Sequence, residues 1–394
     1  MHLINIPDTL LSTLFIIYGS AAIFATLALF TRQSLLVTYM ILGMIIGPYG
    51  FKLLPHTGPL IKQTGDMGII FLLFLLGLQL HPQKLLRMFR ETIVATIISS
   101  ALLMVLGFTL GNAFGFNLTE SLIIGATMMF SSTIIGLKLM PQNYLNNHRT
   151  GEVVISVLLL QDIIAIAVLI AIHIFSTPKN SLIQASLMAA TLPILCLTAY
   201  LMQRFVLTKL IQHFKKIYEY TLLLSIGWCI TMAVLAEVVH LSGEIGAFIA
   251  GVALATSKSA EQIARNLRPL RDFFLVLFFF AIGAQFDYHA LPRVITPALT
   301  LAIVMLVIKP LIFRISLNKL TNNKTVIWES SIRLGQISEF ALLIVYLAQN
   351  LNLISNNASY VVQAATIISF IISSYIIIFR YPTPMAFSKK LYKG

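Results

Sequence analysis

The sequence predicts an all-α polytopic membrane protein of about thirteen transmembrane helices, with two inverted six-helix repeats, a linker helix between them and broken, crossed helices at an ion site. Three observations lead there. The 394 residues are 58% hydrophobic and 10% charged, against roughly 25% charged in a soluble domain. Apolar runs long enough to cross a hydrocarbon core of about 30 Å recur from residue 12 to residue 380. The two halves resemble each other when shifted by about 206 residues.

The first set of spans falls at 12–30, 34–50, 66–80, 92–114, 119–140 and 153–174. The opening MHLINIPDTLLSTLF lacks the basic region and cleavage site of a signal peptide, so its apolar run is read as a retained helix. A linker helix follows at 182–207. The second set lies at 218–239, 243–256, 272–287, 291–313, 325–350 and 358–380. Residues 1–384 form one membrane domain, with a first repeat at 12–174, a second at 218–380 and a short basic tail at 385–394. The repeat is clearest where Gly77 and Gln79 align with Gly283 and Gln285, and Ser132 with Ser338. An odd number of crossings between the halves inverts one relative to the other.

An odd span count puts the termini on opposite sides, and basic residues decide which is cytoplasmic. With the N-terminus outside, 21 of the 27 Lys and Arg residues fall in cytoplasmic segments, and Lys52, Lys62, Lys179 and Arg293 fall on the other side. The net charge of +13 is therefore a topology signal and implies no nucleic-acid partner. Cys196 and Cys229 lie inside apolar spans, which argues against a disulfide framework.

Asp162 sits about nine residues into its span, roughly 14 Å deep and near the midplane. A carboxylate there costs at least about 2.5 kcal/mol, so it is expected to be neutral, paired or in a water-filled cavity. A site that alternates between a proton and a cation suits proton-coupled exchange. A protonated aspartate with a purely structural bond to a neighbouring helix is the alternative. Gln161 adds a neutral oxygen beside the charge.

Ser131, Ser132 and Thr133 in one span, and Gly335, Gln336 and Ser338 at the matching place in the other, make both helices breakable in mid-membrane. Close helix packing by small residues explains either segment alone equally well. Lys309, beside Pro310, is read as embedded and facing a carboxylate, with snorkelling as the alternative. Arg333 and Glu339 are six residues apart, on different helix faces, so each is expected to find a partner elsewhere. Gly43, Gly47, Gly107, Gly111 and Gly115 are spaced for close helix contacts. His173, His240 and His289 lie near span ends, and no spacing resembles a transition-metal cage. GPYGFKLLPHTG has the wrong spacing for a dinucleotide loop and no Walker-type loop occurs, so no cofactor is implied.

Seven segments together resemble the membrane domain of Kef-type transporters, in the second monovalent cation:proton antiporter family. They are ILGMIIGPYGF at 41–51, GIIFLLFLLGLQL at 68–80, FSSTIIGLKLM at 130–140, LLLQDIIAIAVL at 158–169, GEIGAFIAGVALA at 243–255, FFFAIGAQFD at 278–287 and GQISEFALLI at 335–344. The resemblance implies a homodimeric thirteen-helix inverted repeat in the bacterial inner membrane, with no enzymatic activity. It makes Asp162 the ion-binding aspartate with Gln161 before it, and sets Ser131, Ser132 and Thr133 in an unwound crossed helix. Lys309 and Glu339 match a lysine and an acidic residue that serve as charge partners or a second proton carrier. The motif that more often reads GGEFAF is QISEFA here, which bears on how far the second helix unwinds. Relatives usually continue into a nucleotide-binding regulatory domain. This chain ends at Gly394, so regulation by nucleotide or glutathione is not carried over.

The expected function is exchange of K⁺, with Na⁺ as the other choice, for H⁺ across the bilayer by alternating access. A gated K⁺ efflux pathway of the same fold and a non-transporting scaffold are the competing readings.

Overall fold

A computed structural model describes residues 10–51, 58–79, 82–141, 148–175, 182–214, 217–239, 241–257, 260–318, 320 and 323–384; they are helical, with no strand among them. The tail at 385–394, His240, and Lys52, Lys179, Lys215, Lys216, Lys258 and Lys319 lie outside the described residues.

The first half runs α1 (Leu10–Phe30), α2 (Leu35–Ile46), α3 (Gly58–Gln79), α4 (Pro82–Ala113), α5 (Leu118–Met128), the short α6 (Thr133–Lys138) and α7 (Arg149–Phe175). Next come α8 (Leu182–Met202), which contains Pro193, a wide π turn over Gln203–Leu207, and α9 (Thr208–His213). The second half comprises α10 (Tyr218–Val238), α11 (Gly243–Ala255), α12 (Ala260–Asn266), α13 (Arg268–Gln285) and α14 (Leu291–Leu317). It closes with α15 (Lys324–Arg333), α16 (Glu339–Asn350) and α17 (Asn356–Arg380). Seven described helices are long and apolar enough to cross a membrane, and five shorter apolar helices accompany them.

Two of the shorter helices, α5 and α16, are halves of apolar segments that ordinary spans would make continuous. Segments 119–140 and 325–350 each divide into two helices, α5 with α6 and α15 with α16, around non-helical residues 129–132 and 334–338. Each second half has a serine cap. Ser132 Oγ accepts from the Ile135 amide at 3.1 Å, and Ser338 Oγ from the Phe340 amide at 3.1 Å. At the start of α5, Asn117 and Glu120 form a reciprocal capping box.

Glycines let particular helices touch backbone to backbone. A Cβ on Gly43 would collide with the Phe280 carbonyl oxygen, and one on Gly283 with that of Met40, which fixes α2 against α13. The same holds between α3 and α11, where a Cβ on Gly251 would strike the Phe74 carbonyl oxygen and one on Gly77 would lie 2.5 Å from that of Phe248. Gly107 and Gly111 meet α5 at Gly125 and Ser121. Gly115 departs from the expected helix contact. It follows the end of α4 at φ +83° with no atom near its missing Cβ, so it is there for the left-handed turn.

The contacts divide the helices into two groups. α4, α5, α7 and α14–α17 pack among themselves, while α1–α3, α8, α10, α11 and α13 pack with one another. The boundary between the groups passes beside the two helix breaks.

Candidate ion site

Both interruptions leave carbonyl and amide groups without helical partners, and the site is built from the side chains that satisfy them. Gln161 on α7 spans the first break. Its amide oxygen accepts from the Ser131 N–H at 2.9 Å and its amide nitrogen donates to the Met129 carbonyl at 2.8 Å. Ser131 Oγ then donates to the Leu334 carbonyl at 2.7 Å, which joins the first break to the second. Gln336 closes the loop from the other side, donating to the Arg333 carbonyl at 2.9 Å and the Ser132 carbonyl at 3.3 Å. On α17, Ser373 Oγ donates to Gln336 Oε1 at 3.2 Å, and Ser369 Oγ accepts from the Ile337 N–H at 3.2 Å.

Lys309 is completely buried, as the embedded reading expects. Its contacts correct the expectation of a carboxylate partner. The ammonium donates to the carbonyls of Phe130 at 2.5 Å, Gln336 at 3.0 Å and Met128 at 3.2 Å. These carbonyls belong to the last residue of α5 and to the two breaks that follow α5 and α15, near helix ends where dipoles leave partial negative charge. A cation there is compensated by two helix ends together.

The opposite ends carry the acids. α6 starts at Thr133 and α16 at Glu339, and a helix N-terminus favours negative charge. Asp162, 2% exposed, accepts from Thr133 Oγ1 at 3.4 Å, and Glu339 is near enough for the two carboxyl groups to interact electrostatically. The structure thus brings Asp162, Gln161, Ser131, Ser132 and Thr133 to one crossing, with Lys309 and Glu339 at its two electrostatic poles.

A cavity of about 430 Å³ leads to this crossing. It is lined by Leu35, Leu36 and Tyr39 of α2, Leu72 and Leu76 of α3, Arg271, Asp272 and Leu275 of α13, and ends at Thr133 and Glu339. The cavity is thus lined by the residue whose hydroxyl lies 3.4 Å from Asp162, while the carboxyl itself stays buried.

Arg333 finds the separate partner expected of it, and the partner is Glu329. The fully buried guanidinium donates to Glu329 Oε1 at 2.9 and 3.0 Å, to the Leu139 carbonyl at 3.0 Å and to the Pro382 carbonyl at 2.8 Å. Glu329 was missed in the sequence although it stands one turn before Arg333, the spacing at which helix charges meet. Ser369 and Ser373 were missed as well. Their signal is two buried serines one turn apart in a long apolar helix.

Residues 18–379 match the family model described as "Sodium/hydrogen exchanger, transmembrane". The chain is 27% identical to K(+) efflux antiporter 5 of Arabidopsis thaliana, over 94% of this chain and 66% of that protein. It is 23% identical to the iron transporter MagA of Paramagnetospirillum magneticum, over 87% of this chain and 79% of that one. It is 28% identical to the glutathione-regulated potassium-efflux system protein KefC of Shigella sonnei, over 85% of this chain and 55% of that protein. The chain therefore spans about half to two thirds of the length of its potassium-efflux relatives. Its fold matches that of the sodium proton antiporter MjNhaP1 from Methanocaldococcus jannaschii at pH 8, with a TM-score of 0.69 and 16% identity over 93% of this chain and 95% of that one.

Proposed function

The chain belongs to the transmembrane sodium/hydrogen exchanger family, and from that premise we propose that it exchanges K⁺ or Na⁺ for H⁺ by alternating access, with Asp162 carrying either the cation or the proton. The observation that carries this reading is the cavity that ends at Thr133 and Glu339, beside a buried carboxyl set at the start of a half-helix. A cation arriving there meets the Asp162 carboxylate, the Thr133 hydroxyl and the Glu339 carboxyl, a hard oxygen set suited to an alkali ion. A proton on Asp162 removes the charge that attracts the cation, so the two ligands compete for one group. A loaded site is neutralised and passes through the apolar boundary between the helix groups, whereas a bare carboxylate is held back.

The finer architecture belongs to the same proposal. Thirteen spans in two inverted repeats accord with the paired glycine contacts, since α2 on α13 and α11 on α3 correspond under the 206-residue shift. An external N-terminus follows from the basic residues, which puts the open cavity on the cytoplasmic side of the inner membrane. A homodimer is carried from the Kef-type resemblance.

The test is proton flux in proteoliposomes that hold a pH-sensitive dye, driven by K⁺ and by Na⁺ in turn. Wild-type protein is expected to acidify or alkalinise the lumen against an opposing proton gradient, which a channel cannot do. Asp162→Asn is expected to abolish the flux. Undiminished flux in that variant defeats the assignment.

A further inference from the structure

The cavity at the Arg271 end is wide, and a separate, much smaller space lies between the same two helices, α3 and α16, farther along them. Between Ile69, Leu73, Leu343 and Leu347 only about 20 Å³ of space remains on that side of the crossing. Tyr346 of α16, which also lines this space, donates its phenol hydrogen to Asp66 Oδ1 of α3 at 2.7 Å. α3 packs on α11 and α13, whereas α16 packs on α5 and α17. The bond therefore runs from one helix group to the other.

The surroundings hold the two partners close. A Cβ on Gly65 would come within 2.9 Å of the Ala281 methyl and 4.0 Å of the Tyr346 hydroxyl, so the absent side chain at Gly65 is what lets α3 reach this junction. The Phe278 ring stands edge-on to Tyr346 with centroids 6.2 Å apart. Tyr346 is 5% exposed, and its hydroxyl meets Asp66 on the opposite side of the boundary, with the Asn350 and Gln285 side chains also in hydrogen-bonding reach.

We propose that Tyr346 and Asp66 form a latch that keeps the ion passage shut at the end remote from the open cavity, and that their hydrogen bond breaks when the site turns to that side. The proposal rests on the alternating-access reading above. The pair lies apart from the Thr133–Asp162 bond, so it acts on the balance between the two facing states. Opening the remote end parts α16 from α3, and the phenol–carboxyl bond is a polar contact that this parting must give up.

Thiol accessibility tests the latch without reference to transport. In protein with Cys196→Ala and Cys229→Ala, a Leu347→Cys reporter lines the closed space and is exposed to a membrane-impermeant maleimide in vesicles of known sidedness. Tyr346→Phe removes the donor, Asp66→Leu the acceptor, and Asp66→Asn keeps an acceptor oxygen. Labelling from the remote side is expected to rise about tenfold in the first two variants, the factor that one lost net hydrogen bond supports, and to stay near the parental rate in Asp66→Asn. Parental rates in both Tyr346→Phe and Asp66→Leu overturn the latch, as does an equal rise in Asp66→Asn. If exchange fails in the dye assay while labelling rises as expected, the exchange reading falls and the pair stands only as a bond that keeps this space closed.

Discussion

Ser131 and Leu334 join the two interrupted helices, the serine hydroxyl donating to the leucine carbonyl at 2.7 Å across 203 residues of chain. The bond ties the residue that Gln161 holds to the break that Gln336 and Ser373 hold. The two breaks are one hydrogen-bonded unit with Asp162 on its flank.

Ser131→Ala is the smallest cut into that unit. It leaves the Leu334 carbonyl buried and unpaired, at a cost of about 1–3 kcal/mol. The expected outcome is a lower melting temperature together with a raised KM for the cation, because the flank of the site loosens. Ser131→Thr, which retains the hydroxyl, is expected to keep most of both. A melting curve and initial flux rates across cation concentrations check this. A KM unchanged in Ser131→Ala would mean that the joint serves folding alone.

Gln161 makes a sharper separation between two roles. If its amide oxygen coordinates the ion, replacement alters K⁺ against Na⁺ preference. The geometry instead makes it a splint, with oxygen on the Ser131 N–H and nitrogen on the Met129 carbonyl. Gln161→Met removes both bonds without adding a charge beside Asp162, so it is expected to lower the maximal rate for both cations by at least about tenfold, with their ratio unchanged. A shifted ratio would return Gln161 to the ion's coordination shell.

The three acceptors around Lys309 bear on the stoichiometry of the proposed exchange. An ammonium has three N–H donors and a neutral amine only two, so the carbonyls of Met128, Phe130 and Gln336 are all satisfied by the charged form alone. Release of that proton would strand a carbonyl at the end of a half-helix. Lys309 is therefore expected to stay protonated through the cycle and Asp162 to handle one proton per cation. Exchange should then be electroneutral. A voltage-sensitive dye is expected to register no potential during flux, and ionophores that clamp the potential should leave the rate unchanged.

Which of these features the sequence made legible follows from their range along the chain. Apolar length marked the spans, depth marked Asp162, and hydroxyl and glycine residues in mid-span marked both breaks. Burial of Lys309 was legible from its distance to Arg314. Its carbonyl partners were not, because a backbone acceptor is the same at every residue and carries no sequence signal. Ser131 to Leu334 and Gln336 to Ser132 were hidden for the same reason. The loss of glycine at Ile337 and Ser338 looked unfavourable to unwinding. Ser338 instead caps the Phe340 N–H, and the neighbouring Gln336 supplies the amide that satisfies two of the freed carbonyls, so the unwound segment is held by side chains.

The buried pair of Arg333 and Glu329 gives the clearest test of cost against benefit. Arg333 reaches Glu329, the Leu139 carbonyl at the end of α6 and the Pro382 carbonyl after α17 with one guanidinium, and lies over the Tyr381 ring at 5.7 Å. Removing either charge alone strands the other out of water, at about 3–5 kcal/mol. Glu329→Leu and Arg333→Leu are each expected to lower the melting temperature strongly. The double variant should recover part of the loss, because no lone buried charge remains. It should not recover all of it, since Leu139 and Pro382 still lose their donor. Arg333→Lys is expected to resemble Arg333→Leu more than wild type, because a single ammonium cannot span three separated acceptors. Melting temperatures of the four variants in one detergent decide the matter. A double variant less stable than both single ones would show that the pair contributes through its other contacts rather than through its charges.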